Sequence, residues 1–128
     1  MAGTAVLPVA TASCRRDRSD APISRPDAPL HYASLAHVAK LIAARELTSP
    51  MLTRQMLDRI AAVDGTLESY VTVMSDRAIA SAERADVEIR AGRYRGPLHG
   101  VPIAVKDLCN TRGVQTMAGT KVMDFRCR

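Results

Sequence analysis

From residue 34 onward the apolar residues fall at helical intervals. Leu35, Val38, Leu41 and Ile42 recur at spacings that reach toward Leu47, which predicts an amphipathic helix that buries one stripe. Ser34 stands just ahead of the stripe as a suitable N-cap, because its hydroxyl can accept an orphan backbone N–H. A second start signal follows in Thr48-Ser49-Pro50, where Ser49 can cap and Pro50 loses no hydrogen bond at the first helical position. Leu52, Met56, Ile60 and Val63 then share one face, Arg54, Asp58 and Arg59 lie on the other, and Asp64-Gly65 is expected to close the helix.

The pattern shortens at Tyr70-Val71-Thr72-Val73, which reads as a strand. Ser75 or Asp76 opens a third helix through Ile79, Ala82, Val87 and Ile89, with Gly92 placed for a left-handed stop. Its Glu83, Arg84, Asp86, Glu88 and Arg90 form a solvated face with i,i+4 pairing. A second strand-like run, Val101, Ile103, Ala104 and Val105, leads directly into Lys106. Helix, helix, strand, helix, strand predicts an α/β fold, with the crossover helix favouring parallel neighbours in a sheet. Residues 1–30 carry few large apolar side chains among Ala, Pro, Ser and Arg and are expected to form a disordered tail. The remainder, 31–128, is expected to be one domain unit.

Composition narrows the function. The 128 residues contain three Tyr, one Phe and no Trp, so the core must be aliphatic. The formal charge of +5 suggests an anionic partner until its placement is considered. Residues 31–92 hold seven basic and eight acidic side chains, whereas 93–128 hold seven and two. The excess is scattered singly among glycines and apolar residues, with no interleaved aromatics for base stacking, so direct nucleic-acid binding is not expected. Cys14, Cys109 and Cys127 form no CxxC pair, which fits a reducing compartment and gives no metal-binding pattern. No apolar run is long enough to span a bilayer, and no membrane association is expected. The piece Ala5 to Ala12 is broken by Pro8 and has no basic residue before it, unlike a secretory signal. A cytoplasmic location is the expectation, with an organellar presequence left open.

Chemistry concentrates at Lys106. An ammonium pressed against an apolar wall loses hydration, which favours the neutral amine that can act as a base. His99, in the turn Leu98-His99-Gly100, is expected to hydrogen-bond locally. Cys109 has no paired histidine with an orienting group, and His99 with Cys109 would need a further metal ligand. The GxxxxGK[ST] spacing is absent around Gly96 and Gly100, which disfavours nucleotide binding.

The stretch GPLHGVPIAVKD, followed by CNTRGV and MAGT, resembles the opening block of the amidase signature family, hydrolases of amide carbon–nitrogen bonds. About 25 ordered positions carry the likeness, which is far more specific than a lone motif. Gln115 departs from it, standing where the family has proline after Gly-Val. The resemblance implies an α/β fold in which amphipathic helices lead into the strands of a mixed sheet. It also implies a Ser-Ser-Lys mechanism with Lys106 as the catalytic lysine, acting through an intermediate serine. Both serines would lie in a downstream glycine- and serine-rich block, and the sequence stops at Arg128 before any such block. Residues 31–128 are then the incomplete N-terminal part of an amidase domain, inactive alone. If 103–107 are extended, Asp107 faces away from Lys106 and does not pair with it. The glycines of Gly113 to Thr120 would shape a loop near the active site, and Thr111 and Thr120 lack the setting of a nucleophile. The implied partner is a small-molecule amide substrate in the full-length enzyme, with no cofactor and no metal; homo-oligomer formation and the substrate-binding residues stay open. The alternatives are a non-catalytic docking module, a decayed gene product, or the start of the amidase subunit of a tRNA-dependent amidotransferase.

Overall fold

A computed structural model describes residues 29–120 and the backbone of Phe125 and Arg126. Residues 1–28 of the expected tail, Cys14 and Cys127 lie outside the described residues. A short 3-10 turn at Leu30–Tyr32 precedes three helices, α1 (Leu35–Ala43), α2 (Ser49–Leu67) and α3 (Ser75–Arg90). Two short strands follow, β1 (Gln115–Thr116) and β2 (Phe125–Arg126). They pair antiparallel, with Gln115 opposite Arg126 and Thr116 opposite Phe125.

Local signals explain most helix boundaries. Ser34 caps α1, its Oγ accepting the His37 N–H at 3.2 Å. The helix ends in a Schellman arrangement, with Arg45 in the left-handed region at φ 63. The Arg45 N–H donates to the Ile42 carbonyl at 3.0 Å and the Glu46 N–H to Leu41 at 2.9 Å. At the next start the expected roles shift by one residue. Thr48 is the cap, its Oγ1 accepting the Met51 N–H at 3.3 Å, while Ser49 and Pro50 occupy the first helical positions. Ser49 is thereby released to bond elsewhere.

Asp64-Gly65 does not close α2, because Gly65 stays in helical conformation. The reversal comes at Glu68, at φ 48, whose N–H donates to the Asp64 carbonyl at 2.7 Å. Asp64 still acts on the exit, since its Oδ1 accepts the Ser69 N–H at 2.7 Å and the Tyr70 N–H at 3.3 Å. Gly92 adopts φ 78 and ends α3 in a second Schellman arrangement, donating to Ile89 at 3.0 Å while Arg93 donates to Glu88 at 2.9 Å.

Val38, Ile42, Leu47, Leu52 and Ile89 form the core, with Leu30, Ala33, Leu41, Met56 and Val101 packed against it. Ile42 is the largest fully buried side chain, and removing such a group from water contributes about 1.5–3 kcal/mol. Along α3 the buried positions are Ala82, Ala85 and Ile89, whereas Val87, expected inside, is 63% exposed. Two alanines on that face let α3 approach α2 closely, and Val87, two residues from both Ala85 and Ile89, points to the opposite side of the helix. Asp86 and Arg90 pair at 2.8 Å across i,i+4 as the charge pattern predicts.

Neither expected strand forms. Residues 68–74 and 101–106 have no regular secondary structure, and no mixed sheet is present among the described residues. A strand is held by hydrogen bonds to a neighbour that sequence alternation cannot supply. Val71 and Val73 remain exposed, as do Ile103 and Val105. Among the described residues no helix is long and apolar enough to cross a membrane.

Candidate functional site

The segment that carries Lys106 is fastened to the helices at its start. The Ser49 hydroxyl, 1% exposed as a residue, donates to the Gly100 carbonyl at 2.6 Å. Thr53, one turn on, is also buried and donates its hydroxyl to the Ser49 carbonyl at 2.9 Å. Gly100 sits at φ +86 with no room for a side chain, because a Cβ there would lie 3.1 Å from the Ser49 Cβ and 3.3 Å from the Ile89 Cδ1.

His99 anchors the same turn from the other side. Its N–H donates to the Gly96 carbonyl at 2.9 Å, and the Val101 N–H donates to Leu98 at 3.2 Å. The ring is buried, and its Nδ1 accepts the Arg95 N–H at 3.2 Å. Its Nε2 lies 3.1 Å from Glu88 Oε2 and 3.2 Å from the Arg95 Nη2, and with Nδ1 accepting, the proton is assigned to Nε2, facing the carboxylate. The same carboxylate oxygen meets the Arg95 guanidinium at 2.8 Å. His99 is therefore the locally bonded turn histidine that the sequence predicts. Its partner on α3, Glu88, was not legible, since it lies eleven residues back on a helix face that reads as solvated.

An open groove of about 730 Å³ lies between α2, α3 and residues 95–105. Thr53, Ser81 and Ala82 line it from the helices, and Leu98, Ile103 and Val105 from the loop. Lys106 follows directly after this lining. Its side chain is exposed and makes no hydrogen bond or ion pair among the described residues. The apolar wall expected around the amine is not formed by these residues, because Ile103 is 76% and Val105 50% exposed. A wall of alternating side chains needs flanking strands, and none runs beside this segment among the described residues.

The chain turns after the lysine, the Cys109 N–H donating to the Lys106 carbonyl at 2.9 Å. Asp107, at the start of that turn, faces the downstream loop, its Oδ1 accepting the Met117 N–H at 3.1 Å. Arg77 of α3 donates to the Arg112 carbonyl at 2.6 Å and ties that loop to the helices. Cys109 is exposed and free, and Thr111 donates to the Cys109 carbonyl at 3.4 Å. Among the described residues no group of three or more His, Cys, Asp or Glu is placed to hold a metal ion.

Comparison with known proteins gives this geometry a family. The amidase family model matches residues 51–127, a span that contains most of α2, the groove lining and Lys106. The "Putative amidase AmiD" of Mycobacterium tuberculosis is 50% identical over 93 residues, 72% of this chain and 20% of that protein. The A subunit of the glutamyl-tRNA(Gln) amidotransferase of Acidothermus cellulolyticus is 44% identical over 87 residues, 68% of this chain and 17% of its own length. Its counterpart in Pseudomonas aeruginosa is 43% identical over 95 residues, 74% of this chain and 19% of its own. The chain spans about a fifth of the length of the curated relatives it matches. No solved structure matches it. A single family model covering more than half of the residues, together with half-identity to a named relative over 93 residues, makes this chain a member of the amidase signature family, of which it carries the N-terminal portion.

Proposed function

We propose that these residues supply the general base of an amide hydrolase whose serine nucleophile comes from outside residues 1–128. Lys106 is that base. The observation that carries the reading is the state of its amine. It stands free of any carboxylate among the described residues, directly after the groove lining, while the adjacent Asp107 is committed to Met117. A carboxylate partner would favour the charged ammonium, and none of the described residues supplies one; the neutral amine that acts as a base further needs an apolar cover from the part of the enzyme that brings the serines.

In the reaction so assembled, Lys106 draws the proton of a serine through a second serine as that oxygen attacks the amide carbonyl. The carbon–nitrogen bond then breaks, the proton passes to the leaving amine, and water releases the acyl group. The substrate is a small linear amide, and the setting is cytoplasmic. Residues 1–128 hold the base and no glycine-flanked serine, so taken alone they turn over no amide. Identity of 43–44% to the amidotransferase proteins of Acidothermus and Pseudomonas supports a second reading, in which the segment serves an enzyme of that kind.

The test grafts these residues onto the mycobacterial relative in place of its matching segment and follows ammonia release from a panel of small amides. The chimera turns over, and Lys106→Ala lowers kcat/KM by about 10²- to 10⁴-fold with the circular dichroism spectrum unchanged. Lys106→Arg fails equally, because guanidinium does not deprotonate. Turnover retained in Lys106→Ala removes the assigned role. Activity restored only in a chimera built on the Pseudomonas protein selects the second reading.

A further inference from the structure

We propose that Asp107 is a positioning residue, which fixes Lys106 and the small-residue turn at Met117–Thr120 in one rigid frame. The inference rests on Lys106 being the base. Its structural half stands on geometry alone.

One residue takes two consecutive N–H groups of the downstream turn. The Asp107 Oδ1 accepts from Met117 at 3.1 Å, and the Asp107 backbone carbonyl accepts from Ala118 at 3.1 Å. The turn itself closes through the Thr120 N–H, which donates to the Met117 carbonyl at 2.9 Å. Its central residues, Ala118 and Gly119, have φ 51 and φ 72, the pair of left-handed conformations of a type I′ turn. Alanine in that region is strained, so external bonds are needed to hold it there. Asp107 supplies them while the neighbouring Thr116 is buried.

The frame has two chemical effects. A half-buried carboxylate aimed at a backbone N–H is held off the ammonium of its sequence neighbour, which leaves the amine unpaired. The same bonds fix the backbone one residue from Lys106, and a displacement of about 1 Å at a reacting group can cost about 100-fold in rate. What the site requires of residue 107 is an acceptor oxygen at the end of a two-carbon reach. Negative charge is not the requirement. Asparagine keeps that oxygen; alanine removes it.

The experiment compares Asp107→Asn and Asp107→Ala in the chimera, with pH profiles, and in the 128-residue chain by amide hydrogen exchange. Asp107→Asn is expected to keep kcat/KM within about fivefold of the parent. Asp107→Ala is expected to lower kcat by about 100-fold with KM little changed. In both variants the rising limb of the pH profile stays within about half a pH unit of the parent. Exchange at Met117, whose acceptor is the side-chain oxygen, accelerates in the alanine variant alone. Two results overturn the proposal: an asparagine variant as damaged as the alanine one, or a rising limb moved well to lower pH in both, which is the mark of a lost charge partner. If Lys106→Ala stays active, the catalytic reading falls. The exchange at Met117 then still decides whether Asp107 holds the turn.

Discussion

Replacing Gly100 by alanine tests whether the clamp between α2 and the Lys106 segment is as tight as its geometry indicates. Two separable penalties arise. The backbone at φ +86 is disfavoured for an L side chain by roughly 1–2 kcal/mol. The new Cβ also lies 3.1 Å from the Ser49 Cβ and 3.2 Å from its Oγ. The Ser49 Cβ is fixed by the first turn of α2, and its Oγ cannot rotate away without losing the 2.6 Å bond to the Gly100 carbonyl. Crowding of this kind costs about 1–3 kcal/mol. Against these, alanine restricts the unfolded chain and returns about 0.4–1 kcal/mol. The net destabilisation is about 1–5 kcal/mol, and at a urea slope of about 2 kcal/mol per M the midpoint falls by about 0.5–2.5 M. Gly92→Ala is the control, because φ is similar at +78 but nothing lies within 4 Å of the new Cβ; it is expected to cost about 1 kcal/mol. Urea titrations of the chain, followed by far-ultraviolet circular dichroism, measure both. A Gly100→Ala variant no less stable than Gly92→Ala would refute the tight clamp.

Glu68→Gly should stabilise the chain by about 0.5–1 kcal/mol, since it relieves a left-handed glutamate at the end of α2 by more than glycine adds to unfolded-state entropy; the urea midpoint reads it, and a fall in midpoint contradicts the assignment. Asp64→Ala removes the acceptor of the Ser69 and Tyr70 N–H groups. At about 1 kcal/mol for such a bond, exchange of the Ser69 amide should rise about fivefold, and unchanged exchange would show that the carboxylate holds nothing.

What could be read from the chain alone divides along range. Ser34 and Gly92 announce their roles because a cap needs only residues a few positions away, and both behave as expected. Thr48 and Ser49 offer the same hydroxyl chemistry one position apart, so sequence cannot rank them. The structure ranks them through a bond from Ser49 to a carbonyl 51 residues on. Ala85, not Val87, lies on the buried face of α3 because Val87 stands about 200° round the helix from both Ala85 and Ile89, an offset that apolarity alone does not weigh. The runs at Tyr70–Val73 and Val101–Val105 alternate or cluster as strands do, yet a strand is a property of two segments. For the site, the motif around Lys106 was legible as a family resemblance. The exposure of that lysine was not, because burial belongs to whatever packs against a residue. The alternation that would have turned Asp107 away from Lys106 presupposes a strand that is absent among the described residues, and the acceptor role of Asp107 depends instead on the path of a ten-residue loop.

Arg45 illustrates how a locally second-best residue can serve the whole molecule. Glycine would relax the left-handed joint that ends α1, but it could not extend a guanidinium to the Ile89 carbonyl at the end of α3, 3.4 Å away. That cross-strut lets one cation neutralise the negative pole of a helix other than its own. One side chain thus joins two helix ends that stand 44 positions apart along the chain.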